Sequence, residues 1–356
     1  MQPFALIRPE QLVRARELVA QKPDSHALRA GGVDLIDRMK EGIDEPSLLV
    51  ELRAIPELDA SDPATAIAEV EGPKSAVEGD AAPAGPPMIH VRALTTLAML
   101  GAAEIPGAEA LTEAASQAAT PSIRNSATVG GNLLQRPRCW YFRRQELLCL
   151  KKGGDTCLAL TGDNRYHAIL GAGPSFIVHP SSLATALTAL DASVSVYRGE
   201  SGDRRAMQPG AFMPLDKLFV APSEDPAREH RLEPGDVLTG VYLPKLEGMR
   251  SAYQAVREKR SHDWPLVEAA ARMRLEGGVM KDVRVALGHV APVPWLAPAA
   301  AELLEGQKPD AGLFARAADA ALAEAKPLDG NRYKVPMSKG LLREVLHRAA
   351  GLDLPE

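Results

Sequence analysis

The sequence predicts an α+β protein built from three domains. A chain of 356 residues that is 46% hydrophobic can bury a large core, and its length suggests two or three domains. Strand and helix patterns alternate up to residue 58, and a stretch rich in Ala, Pro, Gly and acidic residues follows. A charged, proline-containing segment over 222–235 marks a second change. We therefore expect domains at residues 1–58, 59–225 and 226–356.

Composition and charge exclude several classes of function. The net charge of −5 leaves no basic field that would attract nucleic acid. We expect no insertion into a membrane, because the sequence has no run of about 18 apolar residues and its N-terminal stretch lacks the apolar core of a signal peptide. Three cysteines, an odd number, argue against a disulfide framework and favour a reducing compartment or a cofactor site.

The first domain alternates short strands and helices. Strands are expected at 4–7, 27–30 and 48–52, and helices at 10–21 and from Leu35 to Gly42. Gly31 and Gly32 stand between the second strand and the second helix, where backbone N–H groups can face a cavity without obstruction by Cβ atoms. Such a turn suits a pyrophosphate. A tight strand-to-helix turn is the simpler interpretation of a single Gly-Gly pair.

The second domain opens with residues 59–87, whose composition predicts an exposed linker or an extended hairpin loop. A strand at 88–93, a short helix at 97–100 capped by Thr95 or Thr96, and a helix at 109–118 should follow. Further on, a helix is expected over 179–190 and a strand over 193–197.

A second glycine turn lies in the middle of this domain, in the stretch IRNSATVGGNL. Gly130 and Gly131 are flanked by Thr128 and Asn132, whose side chains can donate hydrogen bonds to phosphate oxygens. Two such turns about 100 residues apart are what a long diphosphate cofactor held between two chain segments would require. The second turn therefore strengthens the cofactor interpretation of the first.

The third domain begins with strands over 237–243 and 251–256, and a further strand is expected at 283–287. The apolar segment 266–275 fits a helix or a strand. Residues 313–325 and 339–350 have helical spacing and should pack against the sheet of this domain.

The two glycine turns also resemble those of a known family. RAGGVDL, around Gly31, and IRNSATVGGNL, around Gly130, resemble the FAD-binding subunit of the xanthine dehydrogenase family of molybdenum hydroxylases. The similarity runs through nearly the whole chain. QRPRCWYF and NRYHAILG look most like the flavin subunit of bacterial three-subunit aldehyde oxidoreductases. The glycine and asparagine motifs are specific in combination, whereas the C-terminal similarity rests on patterns such as LGHVAPVPW.

The resemblance implies an FAD-binding fold of two α/β subdomains followed by a C-terminal domain of antiparallel sheet plus helices. The second subdomain would carry a cysteine-containing insert at residues 136–167. The two turns would hold the two sides of the FAD diphosphate. The residues implied are Ala30, Gly31, Gly32, Val33, Asp34 and Leu35 on one side, and Asn125, Thr128, Gly130, Gly131 and Asn132 on the other.

Two positions depart from the family's pattern, and a third residue is implied by it. Val33 stands where Thr is usual, which removes a hydroxyl group, and Ser182 stands where Asp is usual. Ser182 is kept as a candidate FAD contact, although an N-cap role explains it equally well. Backbone donors remain at both positions, so we still expect FAD to bind, with lower affinity. The resemblance also places a cation such as Lys259 across the isoalloxazine ring, and a basic surface loop is the alternative.

The three cysteines lie close together in the sequence, at Cys139, Cys149 and Cys157. In the relatives, the corresponding insert holds a four-iron, four-sulfur cluster, which needs four ligands. His167 is our candidate for the fourth. Zinc bound by three cysteines and one histidine, or three buried and inert thiols, are the alternatives. We rank the iron–sulfur (4Fe–4S) cluster first because the cysteines follow a flavin motif.

The resemblance further implies a function without substrate chemistry in this chain. A large subunit with a molybdenum cofactor would oxidise an aldehyde or N-heterocycle, and a small subunit with 2Fe–2S clusters would relay electrons to FAD. The present chain would pass them to an external acceptor. The alternatives are a self-contained flavin oxidase or reductase and a structural zinc-binding scaffold. The compartment would be the cytoplasm, or the periplasm if a partner subunit carries the folded chain across the membrane.

Overall fold

The structure is a computed structural model that describes residues 1–72, 85–199, 212–259 and 262–354. It is a mixed helix and sheet protein with one parallel and two antiparallel sheets, so the predicted α+β class is confirmed. No helix in the described part of the chain is long and apolar enough to cross a bilayer.

The first unit is a three-stranded parallel sheet with order β1-β3-β2 and two helices. The apolar residues of its first helix, Leu12, Ala15, Leu18 and Val19, are buried against the sheet, as their helical spacing predicts. Its elements are β1 Ala5–Ile7, α1 Leu12–Ala20, β2 His26–Arg29, α2 Val33–Lys40 and β3 Leu48–Glu51, followed by 3-10 turns at Leu52–Ala54 and Pro56–Leu58.

The second unit contains a five-stranded antiparallel sheet with order β4-β5-β8-β6-β7. Its strands are β4 Ile67–Gly72, β5 Gly85–Arg92, β6 Ser193–Tyr197, β7 Phe212–Pro214 and β8 Val237–Pro244. Its helices are α3 Pro63–Ala66, α4 Leu97–Ala102, α5 Glu109–Gln117, α6 Pro121–Arg124, α7 Val129–Leu133, α8 Ser182–Ala189 and α9 Leu215–Leu218, with 3-10 turns at Leu150–Lys152 and Leu158–Leu160.

Two sequence-based expectations for this unit differ from the structure. Part of the predicted linker, Ile67–Gly72, is strand β4, because its backbone groups pair with β5. Residues 73–84 of that stretch lie outside the described residues, and its last residues, 85–87, belong to strand β5. Strand β8 belongs to the predicted third domain but pairs with β5 and β6, so the sheet of the second unit extends to Pro244, past the predicted boundary at residue 225.

The third unit is a four-stranded antiparallel sheet with order β12-β11-β10-β9, packed against three helices. The ambiguous segment 266–275 is strand β10, which is buried between β9 and β11. The elements are β9 Met249–Arg257, β10 Pro265–Glu276, β11 Val279–Gly288, β12 Trp295–Leu296, α10 Pro298–Leu304, α11 Ala311–Ala321 and α12 Lys334–Ala350.

Candidate functional site

A cavity of about 440 Å³ lies where the three units meet, and we call it the first cavity. Residues from the first glycine turn, from the second glycine turn, and from the β9–β10 connection with the strand ends that flank it line the cavity together. Members of these three groups are Ala30, Gly31, Gly32, Val33, Asp34 and Leu35; Thr128, Gly130, Gly131 and Asn132; and Arg257, His262, Asp263, Trp264 and Pro265. Stretches about 100 residues apart in the sequence therefore share one cavity.

The first glycine turn leaves backbone donors open. Gly32 is the N-cap of helix α2 and has a φ of 72°, a left-handed conformation that favours glycine. No side chain caps this helix. The N–H groups of Val33, Asp34 and Leu35 have no partner inside the helix, and no other described residue accepts from them. A helix start of this kind can bind an anion through its backbone.

The two glycine turns approach each other closely at Gly31. A Cβ atom at this position would overlap the backbone carbonyl oxygen of Ser126, which directly precedes the second turn. The same carbonyl accepts a hydrogen bond of 2.9 Å from Nη2 of Arg53, at the end of the first unit. Glycine at 31 is therefore needed for the contact between the first two units.

The second glycine turn uses its backbone donors within the protein. The N–H groups of Val129 and Gly130 donate to the carbonyls of Thr95 and Ala93, at 2.9 and 2.8 Å. Gly131 N–H donates to Oγ1 of Thr128 at 3.1 Å, so Thr128 is the N-cap of helix α7. The Asn132 N–H donates to the carbonyl of Thr128 at 2.8 Å. The second turn thus offers side chains to the first cavity rather than backbone N–H groups.

Asn132 connects the second turn to helix α8. Its Oδ1 accepts a hydrogen bond of 2.6 Å from the hydroxyl of Ser181, which also caps α8 through the N–H of Ala184 at 3.0 Å. No described residue accepts from the amide nitrogen of Asn132, which remains a donor at the cavity wall. Beneath Ser181, the Nδ1 of His179 accepts from the Ser181 N–H at 3.3 Å. Burial lowers the pKa of His179 to about 3, so its ring is neutral at pH 7.

Ser182 lines the first cavity, but its hydroxyl donates to the carboxyl group of Glu268, which is fully buried on strand β10. Tyr253 and Thr185 donate to the same carboxyl at 2.7 and 3.0 Å. The Ser182 hydroxyl therefore connects helix α8 to the third unit. The N-cap of this helix is Ser181, not Ser182.

Two predicted contacts do not line the first cavity. Asn125 is absent from its walls, and its N–H donates to the carbonyl of Pro121 at 3.1 Å. Lys259 is exposed and also absent from the walls, whereas Arg257, at the end of strand β9, and His262 and Trp264, which follow Lys259, line the cavity. The sequence drew attention to the charges of this loop and gave no signal for Trp264.

A cluster of arginines surrounds Asp34 below the first turn. Its carboxyl oxygens lie 3.4 Å from Nε of Arg38, 3.1 Å from Nη2 of Arg138 and 2.6 Å from Nη2 of Arg143. Burial alone would raise the pKa of Asp34, but the three guanidinium charges outweigh it and the pKa is lowered from 3.8. Arg138 and Arg143 belong to the cysteine insert, so Asp34 fixes that insert against helix α2.

A second anchor lies on the other side of the insert. Lys151, between Cys149 and Cys157 in the sequence, is buried and its Nζ lies 2.8 Å from Oε1 of Glu229. Nε of Arg136 lies 2.9 Å from the other carboxyl oxygen of Glu229. The insert is thereby held to residues that precede and follow it.

Of the predicted metal ligands, Cys139 and His167 are in contact. Cys139 Sγ lies 3.3 Å from His167 Nε2. Burial raises the pKa of Cys139 to about 11. All three are free cysteines. Among the described residues, no group of three or more His, Cys, Asp or Glu side chains is already arranged around a metal position.

Two family descriptions match consecutive parts of the chain. Residues 85–246 match the FAD binding domain in molybdopterin dehydrogenase, and residues 251–350 match the CO dehydrogenase flavoprotein C-terminal domain. The junction between the two matches lies directly after strand β8, in agreement with the sheet pairing.

Curated proteins of the same family extend the similarity to the whole chain. The aldehyde oxidoreductase FAD-binding subunit PaoB of Escherichia coli (strain K12) is 32% identical over 335 residues, which cover 93% of this chain and 94% of the relative. The carbon monoxide dehydrogenase medium chain of Hydrogenophaga pseudoflava is 23% identical over 351 residues, 97% of this chain and 96% of the relative.

Solved structures share the fold. The carbon monoxide dehydrogenase from Hydrogenophaga pseudoflava has a chain with a TM-score of 0.69 and 24% identity, and 98% of each chain is covered. Quinoline 2-oxidoreductase from Pseudomonas putida 86 has a chain with a TM-score of 0.68 and 21% identity, with the same coverage. With the 32% identity to PaoB over nearly its full length, these matches confirm the resemblance, and the chain belongs to the FAD-binding medium subunits of the molybdopterin dehydrogenase family, as an oxidoreductase subunit of the molybdenum hydroxylase type.

Proposed function

We propose that this chain passes electrons from the iron–sulfur clusters of a partner subunit through FAD to an external acceptor. A large subunit with a molybdenum cofactor oxidises the substrate, which we infer to be an aldehyde, and a small 2Fe–2S subunit relays the electrons. The observation that carries the proposal is the first cavity, where both glycine turns meet. The 32% identity to an aldehyde oxidoreductase FAD-binding subunit supports the substrate class.

The residues around the first cavity fit FAD. The open N–H groups at the start of α2 suit a phosphate, and Arg29 and Arg38 lie at the cavity wall, where Glu51 pairs with Arg29 and Asp34 and Asp44 pair with Arg38. Thr128, Gly130, Gly131 and Asn132 form the opposite wall, and Asn132 keeps an amide donor there. When bound, FAD supplies the capacity to take up electrons singly and release them in pairs. Apolar side chains such as Leu94, Leu97 and Leu134 exclude water from the wall between the turns.

Three further residues stay candidates for FAD contacts. Ser182 has its hydroxyl engaged by Glu268, so its remaining contribution is the acceptor side of that hydroxyl. Asn125 and Lys259 lie away from the cavity walls, and a contact from either requires a movement of its loop. Arg257, at the end of strand β9, is a cavity-lining cation and is the stronger candidate for stabilising a negative charge on the ring.

We further propose that Cys139, Cys149, Cys157 and His167 hold a 4Fe–4S cluster. The surroundings of Cys139 support a bound metal, because backbone N–H groups of Tyr141 and Phe142 interact with its sulfur, and such donors stabilise a thiolate ligand. Burial holds the thiol in its protonated form, so a metal would have to displace the proton. His167 is buried and neutral, with a pKa lowered to about 4, which is the form that binds metals.

The FAD proposal is tested by reconstitution. The purified chain, incubated with FAD and desalted, should retain about one flavin per chain, seen as flavin absorbance in the visible spectrum. A chain that retains no flavin would contradict the proposed function. Turnover of a small substrate by the isolated chain would instead favour a self-contained flavin oxidase or reductase.

Metal analysis tests the cluster separately. We expect about four irons per chain after anaerobic reconstitution, with a broad visible band that His167→Ala weakens. Zinc in place of iron would identify a structural zinc site with the same ligands. The proposed compartment is the cytoplasm, or the periplasm through export together with a partner subunit, and cell fractionation distinguishes the two.

A further inference from the structure

The wall of the first cavity carries one large aromatic side chain among the described residues, that of Trp264. Apart from the imidazole of His262, no other described residue of the wall carries an aromatic ring. Such rings are scarce throughout the chain, where Phe, Trp and Tyr make up only 4% of the residues. FAD has two planar ring systems, adenine and isoalloxazine, and either can stack on an indole. The first cavity therefore offers one stacking surface for two candidate rings.

The indole of Trp264 is open to the cavity. About half of this residue, 46% of its surface, is exposed. Trp140 and Trp295, the other two tryptophans of the chain, are less exposed. Tryptophan is highly buried on average, because its large ring gains much by leaving water. A ring bound in the first cavity would cover the exposed part of Trp264.

The position of this indole is fixed by its surroundings. The next residue, Pro265, begins strand β10 and pairs with Arg257 of strand β9. The Trp264 N–H donates to a carboxyl oxygen of Asp263 at 2.9 Å. The guanidinium carbon of Arg138 lies 4.6 Å from the centroid of the indole ring, within the range of a cation–π contact. A ligand ring would thus meet a surface that is in place before it binds.

Arg138 also connects the indole to the first glycine turn. Its Nη2 lies 3.1 Å from Oδ1 of Asp34, which belongs to the first turn of helix α2. The indole of Trp264 and the carboxyl group of Asp34 are therefore joined through one guanidinium group. In FAD, a ribityl chain joins the diphosphate to the isoalloxazine ring. A phosphate at the start of α2 and a ring at Trp264 must be neighbours in such a molecule, and the two positions are neighbours here.

Charge favours the isoalloxazine ring over adenine at this position. The reduced isoalloxazine ring can carry a negative charge, whereas adenine stays uncharged near pH 7. Arg257, the strand partner of Pro265, lines the cavity and has no carboxylate partner among the described residues. Its Nη2 donates only to the carbonyl oxygen of Gln117, at 3.4 Å. Asp263 carries the opposite charge, but its carboxyl group is engaged by the N–H of Trp264.

We propose that the isoalloxazine ring of FAD stacks on the indole of Trp264, which makes this residue the contact that positions the ring. The assignment rests on the proposed function, since it requires FAD in the first cavity. Trp264 also lines a second cavity of about 230 Å³, whose walls include Cys139 and His167. The indole therefore stands between the flavin ring and the cysteine insert.

The test combines the affinity for FAD with the fluorescence of FAD bound to the full chain, loaded without added iron. An indole in contact with an excited flavin quenches its emission by donating an electron that then returns, whereas a phenyl ring stacks without donating. Trp264→Phe should bind FAD nearly as tightly as the parent, and the emission per bound flavin should rise severalfold. Trp264→Leu should also raise the emission and should weaken FAD binding about twofold to tenfold, the range for loss of one aromatic contact.

Trp295→Phe is the matched control, because Trp295 packs at Gly171 and lines neither cavity. Its affinity and emission should match those of the parent. Emission no higher in Trp264→Phe than in Trp295→Phe is the result that adenine on the indole, or a purely structural Trp264, would give, and it would overturn the proposal. Loss of FAD from Trp264→Phe would do the same. A parent chain that retains no FAD would remove the proposed function itself, so the two failures are distinguishable.

Discussion

The first and second glycine turns have similar sequences but use their backbone groups differently. At the first turn, helix α2 begins without a side-chain cap, and the N–H groups of its opening residues are open. At the second turn, Thr128 caps helix α7, and neighbouring carbonyls take up the other N–H groups. A Gly-Gly pair at a helix start therefore marks an anion site only where the first helical N–H groups lack partners inside the protein.

The largest difference between the turns should appear on adding a methyl group. In Gly31→Ala the new Cβ would overlap the Ser126 carbonyl and force the turns apart, so we expect nearly complete loss of bound FAD and a loss of about 1–3 kcal/mol of stability. In Gly131→Ala the new Cβ meets only Oγ1 of Thr128, at 3.0 Å, and most FAD should be retained. Flavin content and thermal unfolding measure both effects.

Gly340→Ala is the control for the loss of a glycine. Gly340 lies within helix α12, and a Cβ there would meet nothing within 4 Å. Alanine should stabilise this helix by up to about 1 kcal/mol and leave FAD content unchanged. Equal FAD retention in Gly31→Ala and Gly340→Ala would contradict the assignment of Gly31 to the contact between the units.

As the pH falls, the structure around His179, near the second turn, should lose stability before the structure around Asp34, at the first turn. Burial lowers the pKa of His179 to about 3, so between pH 6.5 and 3 the unfolded chain takes up a proton that the folded chain does not. Stability is therefore lost as the pH falls below 6.5, by about 2 kcal/mol between pH 8 and pH 5 for this histidine. The pKa of Asp34 is lowered below 3.8, so its contribution is lost only at still lower pH.

Urea unfolding at pH 8 and pH 5 tests this order. The variant His179→Asn should lose less stability between these two pH values than the parent. An unchanged pH dependence in His179→Asn would show that the support beneath Ser181 does not depend on the neutral imidazole.

The smallest effect should come from the cap of the second turn. Thr128→Ala removes the acceptor of the Gly131 N–H, and such a loss costs about 1 kcal/mol. The Gly131 N–H would then be free to donate to FAD, like the N–H groups of the first turn. The loss of FAD binding free energy should therefore be smaller than the loss of folding stability. Thr128→Ser retains the hydroxyl and serves as the control in the same thermal unfolding and FAD titration. A larger loss of FAD in Thr128→Ala than in Gly31→Ala would reverse the roles assigned to the turns.

Local patterns predicted much of the fold and part of the site. Strand β6 was predicted with its observed limits, and the first turn was located because glycines between a strand and a helix are a local signal. The glycines of the second turn lie inside helix α7, and their polar neighbours Thr128 and Asn132 were the signal that located it. The apolar segment of β10 was ambiguous, since its alanines suit a helix and only pairing with β9 and β11 makes it a strand. Strand β4 was missed because its partner follows residues 73–84.

The walls of the first cavity are formed by residues that lie far apart in the sequence, and no local pattern predicts which of them meet. Trp264 lines the first cavity and directly precedes strand β10. The guanidinium group of Arg138, which belongs to the cysteine insert, lies over the Trp264 ring. The second turn's engaged N–H groups follow from Thr95 and Ala93, which precede it by more than thirty residues. Such partners are set by how the units pack, which the sequence pattern does not encode position by position.

The two ion-pair anchors of the cysteine insert, at Asp34 and Glu229, can form only at different stages of protein synthesis. Asp34 leaves the ribosome before the insert, but Glu229, which holds Lys151 and Arg136, leaves well after it. Until then, the anchor to Glu229 cannot form, although Cys149 and Cys157 are buried in the finished protein. We therefore expect chemistry at these thiols to be easier on the growing chain than on the folded protein.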